Sequence, residues 1–540
     1  MKNILKLNGT KFMVLCIVVV VIAGLLRFWE LGGVPAGLTW DEAAIGYNGH
    51  SVVTTYRDEW LVRLPISFKS FGDYKAPLAI YVSGIFSYFF GLDTWAIRLP
   101  FALSGVTFVA ISMLLVWIVA SGLKNRQTLT LLMGLLAALS PWHIVFSRVG
   151  FESGMAATLV AGAVTSFLVA VRQQKQWAYA LSGTLFSLSM YAYHSAKITV
   201  PFLLLLLFWR YRQQLLKTWK KSAAFVVALS VISVPLAYSH IYGDAMTRAG
   251  VLIFSSQLSA TEMGTRVFGN FIQYFLPGFL LFGDADSMRH STGVFGVLSI
   301  GSYLLWLVGI LTLVTTWFTK RISVASFAWL GLLILITGIV PAALVVETDP
   351  HPNRSLLALL GYLMLAIAGA DFLLKKVSKW SAVYRYSTKV VFVSIVIGVE
   401  LLFAFFFLKF YFTQYNELAG EEYLQGYREV FAITEQYRDY DSDTEVVDQI
   451  IFSTEYGQPY IFALLAKEAS PYDFHAGVLR HYLFVDEITI HDFSRNNALL
   501  VVTNQEFESA EEPKHVVTDT AGQTRFRVYQ TEKNTEDADE

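Results

Sequence analysis

Cysteine occurs once in the 540 residues, at Cys16 inside an apolar run, and one thiol excludes an intramolecular disulfide, a thiolate metal cluster and a cysteine dyad. Charge is scarce too. Asp, Glu, Lys and Arg make up 15% of the chain against 55% hydrophobic residues, and the mean hydropathy is +0.49, more apolar surface than a water-soluble domain of ordinary size can bury. No glycine-rich phosphate loop of the Walker type is present, so energy from a cytosolic nucleotide is not indicated. Internal repeats are absent as well. The 41 basic and 42 acidic side chains nearly cancel. The bases sit in short loops between apolar segments and the chain beyond about Asn416 is acidic, which speaks against nucleic acid as a partner.

What is present is a series of long apolar segments. The opening "MKNILKLNGTKFMVLCIVVVVIAGLLRFW" has the charge of a signal peptide but no small-x-small cleavage site, and reads as an uncleaved anchor. A helix needs roughly 20 apolar residues to cross the hydrocarbon core. Eleven segments qualify: Lys11 to Trp29, Arg98 to Ala120, Thr128 to His143, Met155 to Val171, Trp177 to Tyr193, Ile198 to Trp209, Ser222 to Tyr238, Gly293 to Phe318, Val324 to Val346, Ser355 to Leu374 and Val390 to Tyr411. With the N-terminus in the cytoplasm, every second loop ("LKNRQ", "VRQQKQ", "RYRQQLLKTWKK", "TKR", "KKVSKWSAVYRYSTK") is basic, as the positive-inside rule requires. The segment Pro77 to Gly91 is too short for a comfortable crossing, and counting it would invert that order, so it reads as an interfacial helix within a first external loop running from about Glu30 to Ile97.

From Asn416 the pattern changes to short apolar strands and helical stretches. Val446 to Thr454, Asn497 to Gln505 and Arg525 to Glu532 read as strands, and Gln458 to Ala469 as a helix between strands. The expected fold is a polytopic α-helical membrane protein of about 11 transmembrane helices plus interfacial helices, with a small C-terminal extracytoplasmic α/β domain. The expected domains are 1–411 in the membrane, 416–532 outside it and a disordered tail, 533–540.

Ionisable groups gather in the loops of one face: Asp41, Glu42, Asp73, Lys75, Arg98, Arg148, Glu152, His194, Lys197, Asp284, Arg289, His290, His351 and Arg354. Cations at headgroup level suit a phosphate or pyrophosphate, and Tyr74, Trp95, Trp142 and Tyr191 suit an interfacial pocket. Each group also has a structural reading. A single Lys or Arg snorkels to lipid headgroups, Asp41 and Glu42 make an N-cap followed by a first-turn acid, and His194 and His351 taken singly read as hydrogen-bonding residues at the membrane boundary. Arg148 and Glu152, four apart, are spaced to pair on one helical face.

"TWDEAAIGYNG", "FGDYKAPLAIY", "GLDTWAIRLPFALSG" and "SPWHIVFSRVGFES", in that order and followed by "YHS" and "HPNR", resemble the motifs of lipid-carrier-dependent glycosyltransferases of the GT-C fold. The likeness is to the dolichyl-phosphate-mannose protein mannosyltransferase family and its bacterial relatives, which include aminoarabinose transferases acting on lipid A. It covers Leu5 to about Tyr411. The resemblance implies inverting transfer of a sugar, hexosyl or pentosyl, from a polyprenyl-phosphate carrier to an acceptor glycan, lipid or protein of the cell envelope, at the outer face of the plasma membrane. It makes Asp41 the catalytic residue that accepts the acceptor hydroxyl's proton. Lys75, with Arg98 and Arg148, binds the carrier phosphate, and Glu42 and Glu152 are second-shell or acceptor-binding acids. Tyr74, His194, Lys197, His351 and Arg354 complete the expected pocket. The expected site holds no metal, a divalent cation being the one cofactor left open. Two departures stand out. The family's Lys-Pro-Pro is Lys75-Ala76-Pro77 here, and the carbohydrate-binding inserts of eukaryotic protein mannosyltransferases are missing, so the mannose donor and protein acceptor are not inherited. A transporter or flippase of a lipid-linked glycan is the alternative. It calls for charged or broken helices near the midplane and internal repeats.

Overall fold

The computed structural model describes residues 7–242, 252–283, 287–319, 325–377, 385–438, 446–504, 506 and 512–533. Asp284, residues 320–324 and 378–384 of two expected basic loops, and the tail from 534 lie outside the described residues.

In chain order the helices are α1 (Gly9–Phe28), α2 (Trp40–Thr55), α3 (Pro77–Phe90), α4 (Thr94–Val119), α5 (Arg126–Leu139), α6 (Pro141–Ser147), α7 (Glu152–Gln173), α8 (Gln176–Ala192), α9 (Ala196–Lys217), α10 (Trp219–Tyr242), α11 (Ala260–Gln273), α12 (Ile300–Thr319), α13 (Ala325–Ala343), α14 (Pro352–Ser355), α15 (Leu359–Val377), α16 (Arg385–Phe412), α17 (Gln414–Leu418), α18 (Tyr427–Gln436), α19 (Pro459–Ala466) and α20 (Pro471–His475). The strands are β1 (Phe68–Ser70), β2 (Asp73–Lys75), β3 (Gln449–Ser453), β4 (Tyr482–Val485), β5 (Ala498–Thr503), β6 (His515–Thr518) and β7 (Thr524–Gln530). The chain divides into two compact units. One comprises Met1–Trp29, Asp73–Ala79 and Phe101–Phe410, the other Glu30–Gly72, Ile80–Pro100 and Tyr411–Glu540.

Each of the eleven apolar segments falls on a helix: α1, α4, the α5–α6 pair, α7, α8, α9, α10, α12, α13, α15 and α16. Among the described residues six helices are long and apolar enough to cross a bilayer, and α5 with α6, bent by 57°, makes a seventh. The chain is a multi-pass membrane protein. Two boundaries move furthest: α9 runs on to Lys217, and the helix expected from Gly293 begins at Ile300, 293–299 being bent, irregular chain.

The α5–α6 bend has a chemical cause. Pro141 has no N–H for the carbonyl of Ala137, so the ladder of α5 breaks there. Arg27, fully buried on α1, takes over: Nη2 donates to Ala137 O and Nη1 to Ala138 O, both at 3.3 Å, and Nη2 meets His143 Nδ1 at 2.8 Å. A cation inside an apolar helix thus closes a break in its neighbour. Deeper in this unit α15 meets α12 and α13 backbone to backbone. A Cβ on Gly309 would lie 2.0 Å from Leu365 O, one on Gly369 2.1 Å from Leu305 O, and one on Gly361 2.4 Å from Leu335 N.

In the other unit the five-stranded sheet has the order β4-β3-β5-β7-β6. β4, β3 and β5 run parallel, and β7 and β6 continue antiparallel. Every residue of β5 is buried, as its unbroken apolar run requires of a strand covered on both faces. The strands expected at Val446, Asn497 and Arg525 are β3, β5 and β7, and the expected helix is α19. One face of the sheet shares its core with the first loop. Leu38, Ala43, Ala44 and Tyr47, leading into and along α2, and Ile97 pack with Val430, Phe431, Phe452, Phe462 and Phe526. Loop 30–97, expected to belong with the membrane part, therefore packs for most of its length with the C-terminal domain.

α2 and α3 cross at two glycines. A Cβ on Gly84 would lie 2.1 Å from Gly49 O, and one on Gly49 would lie 2.5 Å from Ile80 O. Gly84→Val should lower stability by about 2–3 kcal/mol through overpacking, whereas Gly264→Ala, inside α11 with open space around it, should raise the melting temperature slightly, by up to about 1 kcal/mol of stability. Thermal unfolding of the purified variants in one detergent tests the contrast.

Candidate active site

Thr39, not Asp41, caps α2. Its side chain accepts from Glu42 N at 3.2 Å while Glu42 Oε2 accepts from Thr39 N at 3.1 Å, a reciprocal capping box. Asp41 and Glu42 both lie in the first turn, where the helix dipole favours negative charge. Their side chains face different surroundings. Asp41 is half-buried, whereas Glu42 is fully buried and paired to the fully buried Arg98.

Arg98 uses its whole donor set. Nε donates to Glu42 Oε1 at 2.7 Å, Nη1 to Leu31 O at 3.3 Å and Pro35 O at 2.7 Å, and Nη2 to Gly37 O at 2.8 Å and Glu42 Oε2 at 3.2 Å. These five bonds match the five N–H groups of a guanidinium. Arg98 thus spends its five donors within the fold, where a carrier phosphate had been expected, and Glu42, at 0% exposure, stands where the second-shell half of its expected role would put it and not the acceptor-binding half.

Tyr74 and Lys75 belong to β2, Lys75 buried and Tyr74 half-buried. Arg148 is the C-cap of α6 and is fully buried, with Nη1 donating to Leu26 O at 3.0 Å. Glu152 is the first residue of α7, a favoured place for an acid. The two therefore stand on either side of a helix break, not on one helical face, which corrects the reading drawn from their spacing. His194 and Lys197 do come together, joined by a residue whose sequence position gave no signal. Lys197 Nζ lies 3.2 Å from His194 Nδ1 and 3.0 Å from His240 Nε2. As an ammonium Lys197 only donates, so both of those nitrogens accept.

His351 precedes α14. Its backbone N–H donates to Tyr274 Oη at 3.0 Å, and its ring lies 4.5 Å from that of His290, itself stacked on Phe146. Arg354 is paired in a two-pronged contact with Glu347. These residues, Tyr74 and Lys75 to Arg354, belong to the membrane-helix unit, whereas Asp41, Glu42 and Arg98 belong to the unit with the sheet. Among the described residues no group of three His, Cys, Asp or Glu side chains could hold a metal ion.

Comparison with solved structures identifies the architecture. ArnT from Cupriavidus metallidurans bound to undecaprenyl phosphate aligns with TM-score 0.57 over 97% of this chain and 98% of that one, at 15% identity. The same protein in the apo state gives 0.52 over the same shares, also at 15% identity. The Archaeoglobus fulgidus oligosaccharyltransferase in the apo form gives 0.52 over 92% of this chain and 70% of that one, at 13% identity. This chain has the GT-C glycosyltransferase fold. Residues 74–238 of the GT-C chain match the family model for dolichyl-phosphate-mannose-protein mannosyltransferase, a segment that opens on Tyr74 and Lys75 and takes in Arg148, Glu152, His194 and Lys197. A search of curated proteins by sequence gives no match.

Two predictions follow from these environments. Removing one partner of the buried pair, as in Glu42→Gln or Arg98→Leu, should cost about 3–5 kcal/mol. The loss should show as a lowered melting temperature of the purified variant in the same detergent. His351 is held down to about 4, first by burial and then by the nearby Arg354 cation. A depressed imidazole takes up its proton in the unfolded chain first, so stability should fall as pH drops from about 6.5 to about 4, by up to about 3 kcal/mol. Unfolding curves of wild type and His351→Gln across that window should converge only at neutral pH and above. Parallel curves would refute the assignment.

Proposed function

We propose that this GT-C protein moves a sugar, hexosyl or pentosyl, from a polyprenyl-phosphate carrier to a hydroxyl of an envelope glycan, lipid or protein, with inversion at the anomeric carbon. The observation that carries the reading is an end-to-end likeness to a chain solved with undecaprenyl phosphate, joined to a match with a family named for transfer from a lipid phosphate sugar. The positive-inside pattern supports a cytoplasmic N-terminus and a sheet domain on the opposite face.

An acceptor hydroxyl has a pKa far above neutral and needs a base within hydrogen-bond reach as it attacks. Asp41 fills that role: it is a half-buried carboxylate in a helix first turn, and its neighbour Glu42 is tied into the fold. Inversion requires the acceptor and the leaving phosphate on opposite faces of the sugar. The acceptor oxygen bonds to the anomeric carbon, the carbon–phosphate-oxygen bond breaks with its electrons staying on the carrier, and the proton goes to Asp41. The leaving phosphate needs positive charge, not a proton. Lys75 and Arg148 supply it, with Lys197 adding to the field from between its two imidazoles. Glu152 orients the acceptor.

Purified protein given radiolabelled polyprenyl-phosphate sugars and envelope extract should transfer label, and Asp41→Asn should lower the rate by about 10²–10⁴-fold without weakening donor binding. Equal rates for the two proteins would remove Asp41 from the chemistry. Lys75→Gln should instead raise the donor concentration needed for half-maximal transfer.

A further inference from the structure

Between α2 and β1 the chain reads "YRDEWLVRLPISFK" (Tyr56 to Lys69), and none of its residues has a role in the transfer chemistry proposed above. Charge is sorted within it. Asp58 and Glu59 turn inward and are 1% and 0% exposed. Asp58 Oδ1 accepts from the backbone of Trp60 at 3.0 Å and of Val62 at 2.8 Å, while Glu59 N donates to Asn48 Oδ1 at 2.9 Å. Outward go Trp60, Val62, Leu64 and Ile66, exposed by 40, 50, 48 and 36%, together with the cations Arg63 and Lys69. Lys69 Nζ stands 5.1 Å from the Trp60 ring centroid, and the indole N–H is already used on Lys69 O at 3.0 Å.

The segment is held rigidly in this arrangement. Tyr81 Oη donates to Pro65 O at 3.0 Å, the buried Phe68 packs edge-on to the Tyr81 ring, and Arg57 Nε donates to Tyr472 Oη at 3.0 Å. Leu61 and Leu64 occupy left-handed backbone, φ 61° and 45°, where glycine or asparagine is the undemanding choice. A connection that only crossed water would not place branched apolar residues there. The tether to Tyr81 also joins it to α3, whose Ile85, Tyr88, Phe89 and Phe90 are likewise exposed in the same unit.

We propose that residues 60–66 form an apolar finger that enters the headgroup layer of an anionic bilayer, with Arg63 and Lys69 on lipid phosphates. A satisfied indole, aliphatic side chains beyond it, cations at the rim and inward carboxylates are what an interface of water, phosphate and acyl chain selects. A protein partner would not require every carboxylate of the segment to be withdrawn. The inference is independent of which sugar is transferred.

The test uses the full chain in lipid nanodiscs, with Cys16 changed to Ser and an environment-sensitive fluorophore on Val62→Cys, or on Leu64→Cys should the first variant not fold. Thr520→Cys, exposed in the same unit, is the aqueous control. The fluorophore at 62 should emit further to the blue than at 520 and be quenched by headgroup-level spin-labelled lipid, more strongly when phosphatidylglycerol accompanies phosphatidylcholine. Arg63→Gln and Lys69→Gln should each reduce that phosphatidylglycerol-dependent immersion about fivefold. Emission at 62 like that at 520 would overturn the proposal, as would immersion indifferent to phosphatidylglycerol. Shielding seen in native membranes but not in nanodiscs would assign the finger to a protein partner and overturn it too.

Discussion

The buried pair of Glu42 and Arg98 is the constraint on which the unit that carries the sheet depends. Taking both charges out of water is costly, and the geometry offsets this only because no donor or acceptor is left over. The guanidinium collects the carbonyls of Leu31, Pro35 and Gly37, so a segment with no helix or strand of its own is folded around one side chain. The carboxylate answers on the other side by closing the capping box of α2. One ion pair thus sets where α2 begins, and with it the position of Asp41 one residue before Glu42.

That arrangement divides the labour of two adjacent acids by burial alone. The same dipeptide offers a carboxylate committed to the fold and a half-buried one in the same helix turn, and the proposed chemistry needs the second held still by the first. The α2–α3 crossing through Gly49 and Gly84 serves the same end. Helices that touch through backbone have few alternative packings, so the first turn of α2 rests on a scaffold with little freedom to shift.

Much of the fold was legible because its signals are physical and local. Apolar length marked eleven segments that all fall on helices, and alternation with flanking turn residues marked β3, β5 and β7. The segment β4 was missed because "YLFV" is short and only partly buried at a sheet edge, so it lacks a pattern to read. The site was less legible for a related reason. Residue type says that Arg98 is a cation and Glu42 an acid, but whether they face a ligand or each other depends on contacts made 56 positions apart in the chain. The same holds for His240, which reaches Lys197 from 43 residues away. Arg27 did carry a readable sign, a charge in the last turn of an apolar helix, and its target was Pro141, a residue whose missing N–H is equally visible in sequence.

Arg27 and Arg98 together show how cations are used where water is excluded. Each collects backbone carbonyls that lack partners: Arg27 at the proline break before α6, Arg98 along the 31–37 segment. A guanidinium does this well because its five donors lie in a fixed plane and it stays charged at any physiological pH. Counting cations near a membrane face therefore overstates how many are offered to a phosphate, since the arginines with the most neighbours are those already spent on backbone. A cation proposed for a carrier phosphate is better sought where the loop has secondary structure of its own, as at Lys75 at the end of β2, than where a side chain must hold the loop together.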